Sequence, residues 1–178
     1  MSRVPPLRIR ELDRREIDEI LSRNNVGRIA FSFRDRVDIQ PINYVYSDGW
    51  LYGRTSPGTK LSTIQHNYWV AFEVDEIEDA ANWRSVVIHG GFYTIPASGS
   101  PQAMETWDRA VELLRTLWPT LLTPDDPVPH RWVLFRIAVQ EVRGLAAGGE
   151  EPPGDIEGGE EQPDDIGGDE EVPGDVGG

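Results

Sequence analysis

Apolar and polar positions change period several times along this chain, and each change predicts an element. Asp13 followed three residues later by Glu16 has capping-box spacing, and Ile17, Ile20 and Leu21 fall on one helical face; Asn24-Asn25 closes that helix. From Arg28 the period becomes two: Ile29, Phe31 and Phe33 point one way, Arg28, Ala30 and Ser32 the other. Arg34-Asp35-Arg36 turns the chain into a strand over 37–46, and Ser47-Asp48-Gly49 turns it into another over 50–55. Pro41 cannot donate to a ladder, so it marks an edge, a bulge, or a place where something other than a strand lies alongside.

Beyond Thr55 the pattern shifts again. Ser56-Pro57-Gly58 leads into a short helix over about 59–66, with Leu61 and Ile64 apolar. Residues 68–75 and 83–95 read as strands, the second long enough to bend at Gly90-Gly91. Ser100-Pro101 opens a helix, and Ala103, Trp107, Val111, Leu114 and Trp118 follow helical spacing. A proline-rich connection over 119–129 precedes a last strand, 130–142. Six strands joined by hairpins, with three helices, are too antiparallel for a doubly wound sheet; a mainly β, six-stranded antiparallel barrel with flanking helices is expected.

Composition changes this picture in one place. The net charge of -14 belongs to the end of the chain: from Gly148 to Gly178 there are twelve carboxylates and no basic residue, in three proline-interrupted repeats. Like charges without an aromatic residue cannot bury enough surface to offset chain entropy, so 148–178 is expected to be a disordered acidic tail on a domain of 1–147. A calcium-binding nonapeptide solenoid fits poorly, since its third glycine is missing. The remainder, at -2, offers no basic groove for nucleic acid and no polybasic membrane patch. No apolar run is long enough for a membrane span or a signal peptide, so a cytoplasmic protein is expected. Without cysteine, and with His66, His89 and His130 lacking ligand spacing, no metal site is expected; His89, among core-like neighbours, reads as structural.

One segment concentrates chemistry. In Tyr52-Gly53-Arg54-Thr55-Ser56-Pro57-Gly58-Thr59-Lys60-Leu61, two cations and three hydroxyls gather where a strand gives way to a helix. Free amides, the charges of Arg54 and Lys60, and the hydroxyls of Thr55, Ser56 and Thr59 suit a phosphate monoester; the same residues also make an ordinary capped helix start.

The motifs Val26-Gly27-Arg28-Ile29-Ala30-Phe31, Pro41-Ile42-Asn43-Tyr44-Val45-Tyr46-Ser47-Asp48-Gly49, the segment from Tyr52 to Leu61, Val70-Ala71-Phe72-Glu73-Val74-Asp75 and Trp83-Arg84-Ser85-Val86-Val87-Ile88-His89-Gly90, in that order, resemble the pyridoxamine 5′-phosphate oxidase-like flavin-binding split-barrel family. The similarity is strongest to its nitroimidazole-resistance-type branch and covers about 8–144. It implies a split barrel and a homodimer with two flavin mononucleotide (FMN) sites at the subunit interface. Pro41, Ile42 and Asn43 would line the flavin ring, and Arg54, Thr55, Ser56 and Lys60 would hold the phosphate. Trp83 and Ser85 would lie near the ring or the dimer seam, and Trp132 and Arg136 would reach the partner's site. The chain departs from that branch where a histidine often precedes the Thr-Ser pair, since Gly53-Arg54 stand there. It also lacks the substrate-binding arginine and histidine set of a true pyridoxamine phosphate oxidase, so vitamin B6 synthesis is not expected. The leading expectation is an FMN-dependent oxidoreductase passing electrons from a reduced nicotinamide to a small organic acceptor, with no catalytic side chain assigned. The alternatives are a non-catalytic flavin- or haem-binding protein, and a dimeric platform displaying the tail to a basic partner; a deazaflavin in place of FMN also remains open.

Overall fold

The computed structural model describes residues 7–33, 36–58, 61–62, 64 and 67–148. The acidic tail beyond Gly148, the Arg34-Asp35 turn, and most of the expected 59–66 helix, Thr59 and Lys60 included, lie outside the described residues; Leu61, Ser62 and Ile64 are helical.

The first helix, α1 (Arg14–Arg23), forms as its sequence dictates. The Asp13 carboxylate accepts from the Glu16 N–H at 2.8 Å, and the Glu16 carboxylate accepts from the Asp13 N–H at 2.9 Å, satisfying two orphan donors reciprocally. Ile17, Ile20 and Leu21 are buried. At the other end Asn24 stays extended, and its side-chain amide donates to the Ile20 carbonyl at 2.9 Å. Hydrogen bonds from the Arg10 guanidinium, opposed by burial and helped by the Asp13 N–H, hold the Glu16 carboxyl down to about 2. A carboxyl with a depressed folded pKa contributes stability above its ordinary range and loses it as pH falls through the folded value. Glu16→Gln is therefore expected to melt below the natural chain at pH 7, with the gap closing as pH falls towards 2. Thermal melts at pH 7, 4 and 2 check this, and a pH-independent gap would show that the charge of Glu16 contributes nothing.

Among the described residues, nine strands make up an antiparallel sheet: β1 (Ile9–Glu11), β2 (Val26–Phe33), β3 (Arg36–Asn43), β4 (Val45–Ser47), β5 (Trp50–Thr55), β6 (Trp69–Asp79), β7 (Asn82–Ile95), β8 (Val133–Ala138) and β9 (Glu141–Ala147). The hydrogen-bonded order is β3-β2-β6-β7-β8-β5-β4, with β9 bridging β7 and β1. The architecture is the expected mainly β split barrel, but with nine strands where six were expected. The 37–46 strand breaks at Tyr44, whose N–H donates to the Asn25 carbonyl at 3.0 Å and whose buried ring meets Phe72 edge-on. The last strand breaks at Val139-Gln140, where the two N–H groups donate to Gly49 and His89. Ile9 to Glu11 add a short strand on β9 that no periodicity announces. The β4–β5 hairpin turns on Asp48 and Gly49, both at positive φ (50° and 78°), as a two-residue type I′ turn requires.

The long strand β7 divides the barrel. Its first part, Trp83 to His89, pairs with β6 and β9; its last part, Phe92 to Ile95, pairs with β8. Register against β6 runs on through Gly90 and Gly91, so this is an exchange of partners, whereas the ladder's irregularity lies between Ile77 and Asp79. One core fills the barrel around Ile20, Phe72, Ile88 and Phe135. A second lies between α2 (Pro101–Leu114) and the outer side of β5 and β8, around Tyr52, Ala110, Leu114, Leu121 and Leu134. Trp118 falls beyond α2, in the turn that follows it.

Candidate functional site

Three parts of the chain enclose a cleft of about 410 Å³. One wall is Gln40 to Asn43 on β3, the terminal strand of the hydrogen-bonded order. An edge strand keeps one side of its backbone unpaired, so Pro41, without an N–H, is tolerated there. The floor is the end of β5 and the turn after it, Arg54 to Gly58. The Ser56 side chain is half-buried, and a Cβ placed on Gly58 would meet nothing within 4 Å, so the backbone there faces open space. Trp118 and Arg131, from the segment after α2, complete the lining.

Arg54 is built into the wall. Its side chain is only 2% exposed, and Nη1 donates to Asp126 Oδ2 at 2.8 Å. The guanidinium lies over the Trp118 ring, 4.5 Å from its centroid. Nη2 is buried without a hydrogen-bond partner among the described residues. Asp126 accepts twice more: Oδ1 from the Val128 N–H at 2.9 Å, and Oδ2 from the Leu122 N–H at 3.0 Å. Burial disfavours its charge, but those two amides and Arg54 outweigh it and hold the carboxyl down to about 2. The loop is thereby tied to β5, and Leu122 is held at φ 58°, a conformation unusual for a residue with a side chain.

The expected site residues therefore divide. Pro41, Ile42, Asn43, Arg54, Thr55 and Ser56 come together in the cleft, while Lys60 lies outside the described residues. Arg54 borders the cleft with its charge already matched by Asp126, so it is not the free cation that the sequence suggested. Trp83 and Ser85 sit on the first half of β7, away from the cleft, on the sheet face they share with Val87 and His89. Trp132 is 55% exposed beside Arg131, and Arg136 lies over the Trp50 ring at 4.0 Å. Neither lines this cleft. Trp118, Asp126 and Arg131 were missed: the first read as helix packing, the second fell in a proline-rich stretch with no period to read, and the third was read as part of the last strand, which starts only at Val133.

The family model described as pyridoxamine 5′-phosphate oxidase matches residues 13–146, three quarters of the chain. The chain belongs to this family. An uncharacterised protein of Rhizobium meliloti strain 1021 is 29% identical over 90 residues, an alignment covering 51% of this chain and 60% of that relative's length. A crystal structure of a FAD-binding protein from Mesorhizobium loti superposes with a TM-score of 0.63 at 28% identity, covering 81% of this chain and all of the other. A candidate 5-nitroimidazole antibiotic resistance protein from Bacteroides thetaiotaomicron has the same fold, with a TM-score of 0.60 at 16% identity, covering 80% of this chain and 90% of its own. Among the described residues, no helix is long and apolar enough to cross a membrane, and no group of carboxylates and histidines could hold a metal.

Proposed function

We propose that this chain binds FMN in the β3–β5 cleft and works as a flavin-dependent oxidoreductase, passing electrons from a reduced nicotinamide to a small organic acceptor. The observation that carries the reading is the meeting of the edge strand at Pro41 to Asn43 with the Thr55 to Gly58 turn, in a chain of this family. The open backbone at Gly58 fits a group that needs close approach.

The flavin, when bound, supplies hydride and electron chemistry, and the protein supplies grip and orientation. The β3 edge would offer backbone polar groups to a flat heteroaromatic ring, and the Thr55 and Ser56 hydroxyls would donate to the phosphate. Trp118 walls the cleft against water beside them. The described side chains lining the cleft include no carboxyl, imidazole or thiol, so they bind and orient rather than move protons.

A homodimer is part of this reading. Val37 and Ile39 are about two-thirds exposed, and they share an outer sheet face with Ala30, Ala71 and Trp69. Pro41 continues the same face to the rim of the cleft, so a second copy laid there would reach the site. The test is the visible spectrum of the purified full-length chain, mass identification of any released chromophore, and nicotinamide oxidation with added acceptors. Bound FMN with turnover is expected, and release of FAD would correct the cofactor alone. A colourless protein that quenches the fluorescence of neither flavin would overturn the reading; bound flavin inert to nicotinamides would leave binding and remove the enzyme.

A further inference from the structure

Two arginines border the cleft, and their circumstances differ. Arg54 is sealed between Trp118 and Asp126, and pulling it towards a ligand would strand the Asp126 carboxylate in a buried site. An ion pair already closed presents little net charge to a third group. Arg131 also lines the cleft, is exposed, and makes no ion pair among the described residues. Its place is fixed through the backbone: the Arg131 N–H donates to the Val128 carbonyl at 3.0 Å, and the Val128 N–H donates to Asp126. The buried pair thus organises the turn that carries Arg131.

We propose that, of the two arginines bordering the cleft, Arg131 and not Arg54 takes the phosphate of the bound ligand, and that the Arg54–Asp126 pair is the fixture that places it. The inference rests on the flavin phosphate reading above. A guanidinium suits this task because its fork can meet two phosphate oxygens at once. On an exposed rim its attraction is also screened by salt.

The test compares FMN with riboflavin, which differ only by the phosphate, in fluorescence titrations of the full-length chain freed of bound flavin. The natural chain is expected to prefer FMN. Arg131→Ala is expected to weaken FMN about tenfold or more, the scale of one charge-assisted hydrogen bond. Riboflavin affinity should stay within about twofold, since no phosphate contact is involved. The salt dependence of FMN binding should shrink in the same variant, and Arg131→Lys should recover part of the preference. A purely structural role would move both ligands together, and that result would overturn the proposal. Arg131→Ala with an unchanged preference would do the same. Asp126→Asn should weaken FMN binding by loosening the turn that carries Arg131, and unchanged or tighter binding would overturn the role of the pair as its fixture. A natural chain that binds both flavins equally would instead overturn the phosphate reading itself, which distinguishes the two failures.

Discussion

Replacing Asp126 with alanine is expected to lower the melting temperature of the full-length chain by about 10 °C, on the scale of breaking a buried ion pair from one side. Three hydrogen bonds vanish with the carboxylate: those from Arg54, from the Leu122 amide and from the Val128 amide. Arg54 is left charged, 2% exposed and without a counter-ion among the described residues. Leu122 loses the acceptor that holds it at positive φ. The damage also has a direction in pH. The carboxyl is held down to about 2, so its contribution is complete above the ordinary carboxylate range and is lost as pH falls through that value. The difference in melting temperature between the natural chain and Asp126→Ala should therefore be full at pH 7, still large at pH 4 and nearly gone at pH 2. A difference of under about 2 °C at pH 7, no more than a typical surface substitution, would mean that the loop is held by something other than this pair.

Much of the site was legible because its signals are local. Asp13 and Glu16 stand three residues apart and cap one helix; Asp48-Gly49 specify one turn; Pro41 marks a break in ladder pairing, an edge among its possible readings, without reference to any distant residue, and β3 ends the hydrogen-bonded order. The concentration of Thr55, Ser56 and Gly58 at a strand end is likewise a property of one stretch. What stayed hidden depends on partners far along the chain. Arg54 looked like a free cation because nothing near it is acidic, and Asp126 lies 72 residues away. The strand breaks at Tyr44 and at Val139-Gln140 exist because backbone amides there find Asn25, Gly49 and His89. Trp118 has the spacing of a helix face, yet it becomes cleft wall because the helix stops four residues earlier. Trp83 and Ser85 show the converse: the sequence motif is local, but their location is set by which strand takes the outer flank of β7.

Gly90→Ala is expected to cost about 3 kcal/mol or more, at the upper end of overpacking, and to exceed the effect of Gly91→Ala by a wide margin. A Cβ at Gly90 would stand 1.7 Å from the Ala138 carbonyl oxygen and 2.9 Å from its carbon, both backbone atoms that no rotamer change can move. At Gly91 the nearest atoms belong to the Tyr93 ring, which is 41% exposed and able to swing aside. The site of the clash is where β7 leaves β9 for β8, and the chain between β8 and β9 is pinned there by Gln140, whose N–H donates to His89 and whose side-chain oxygen accepts from Gly91. Pushing Ala138 away strains the end of β8, and β8 pairs along its whole length with β5. Because β5 runs directly into Arg54 and the Thr55 to Gly58 turn, the strain reaches the cleft through a continuous ladder. Denaturant melts of the two glycine variants, paired with FMN titrations, check both halves of this argument. Gly90→Ala should lose flavin affinity along with stability, and Gly91→Ala should keep most of both. Equal stability of the two variants would mean that the strands can separate at the crossing, and that β7 does not fix β5 and its cleft in the way the close contact at Ala138 requires.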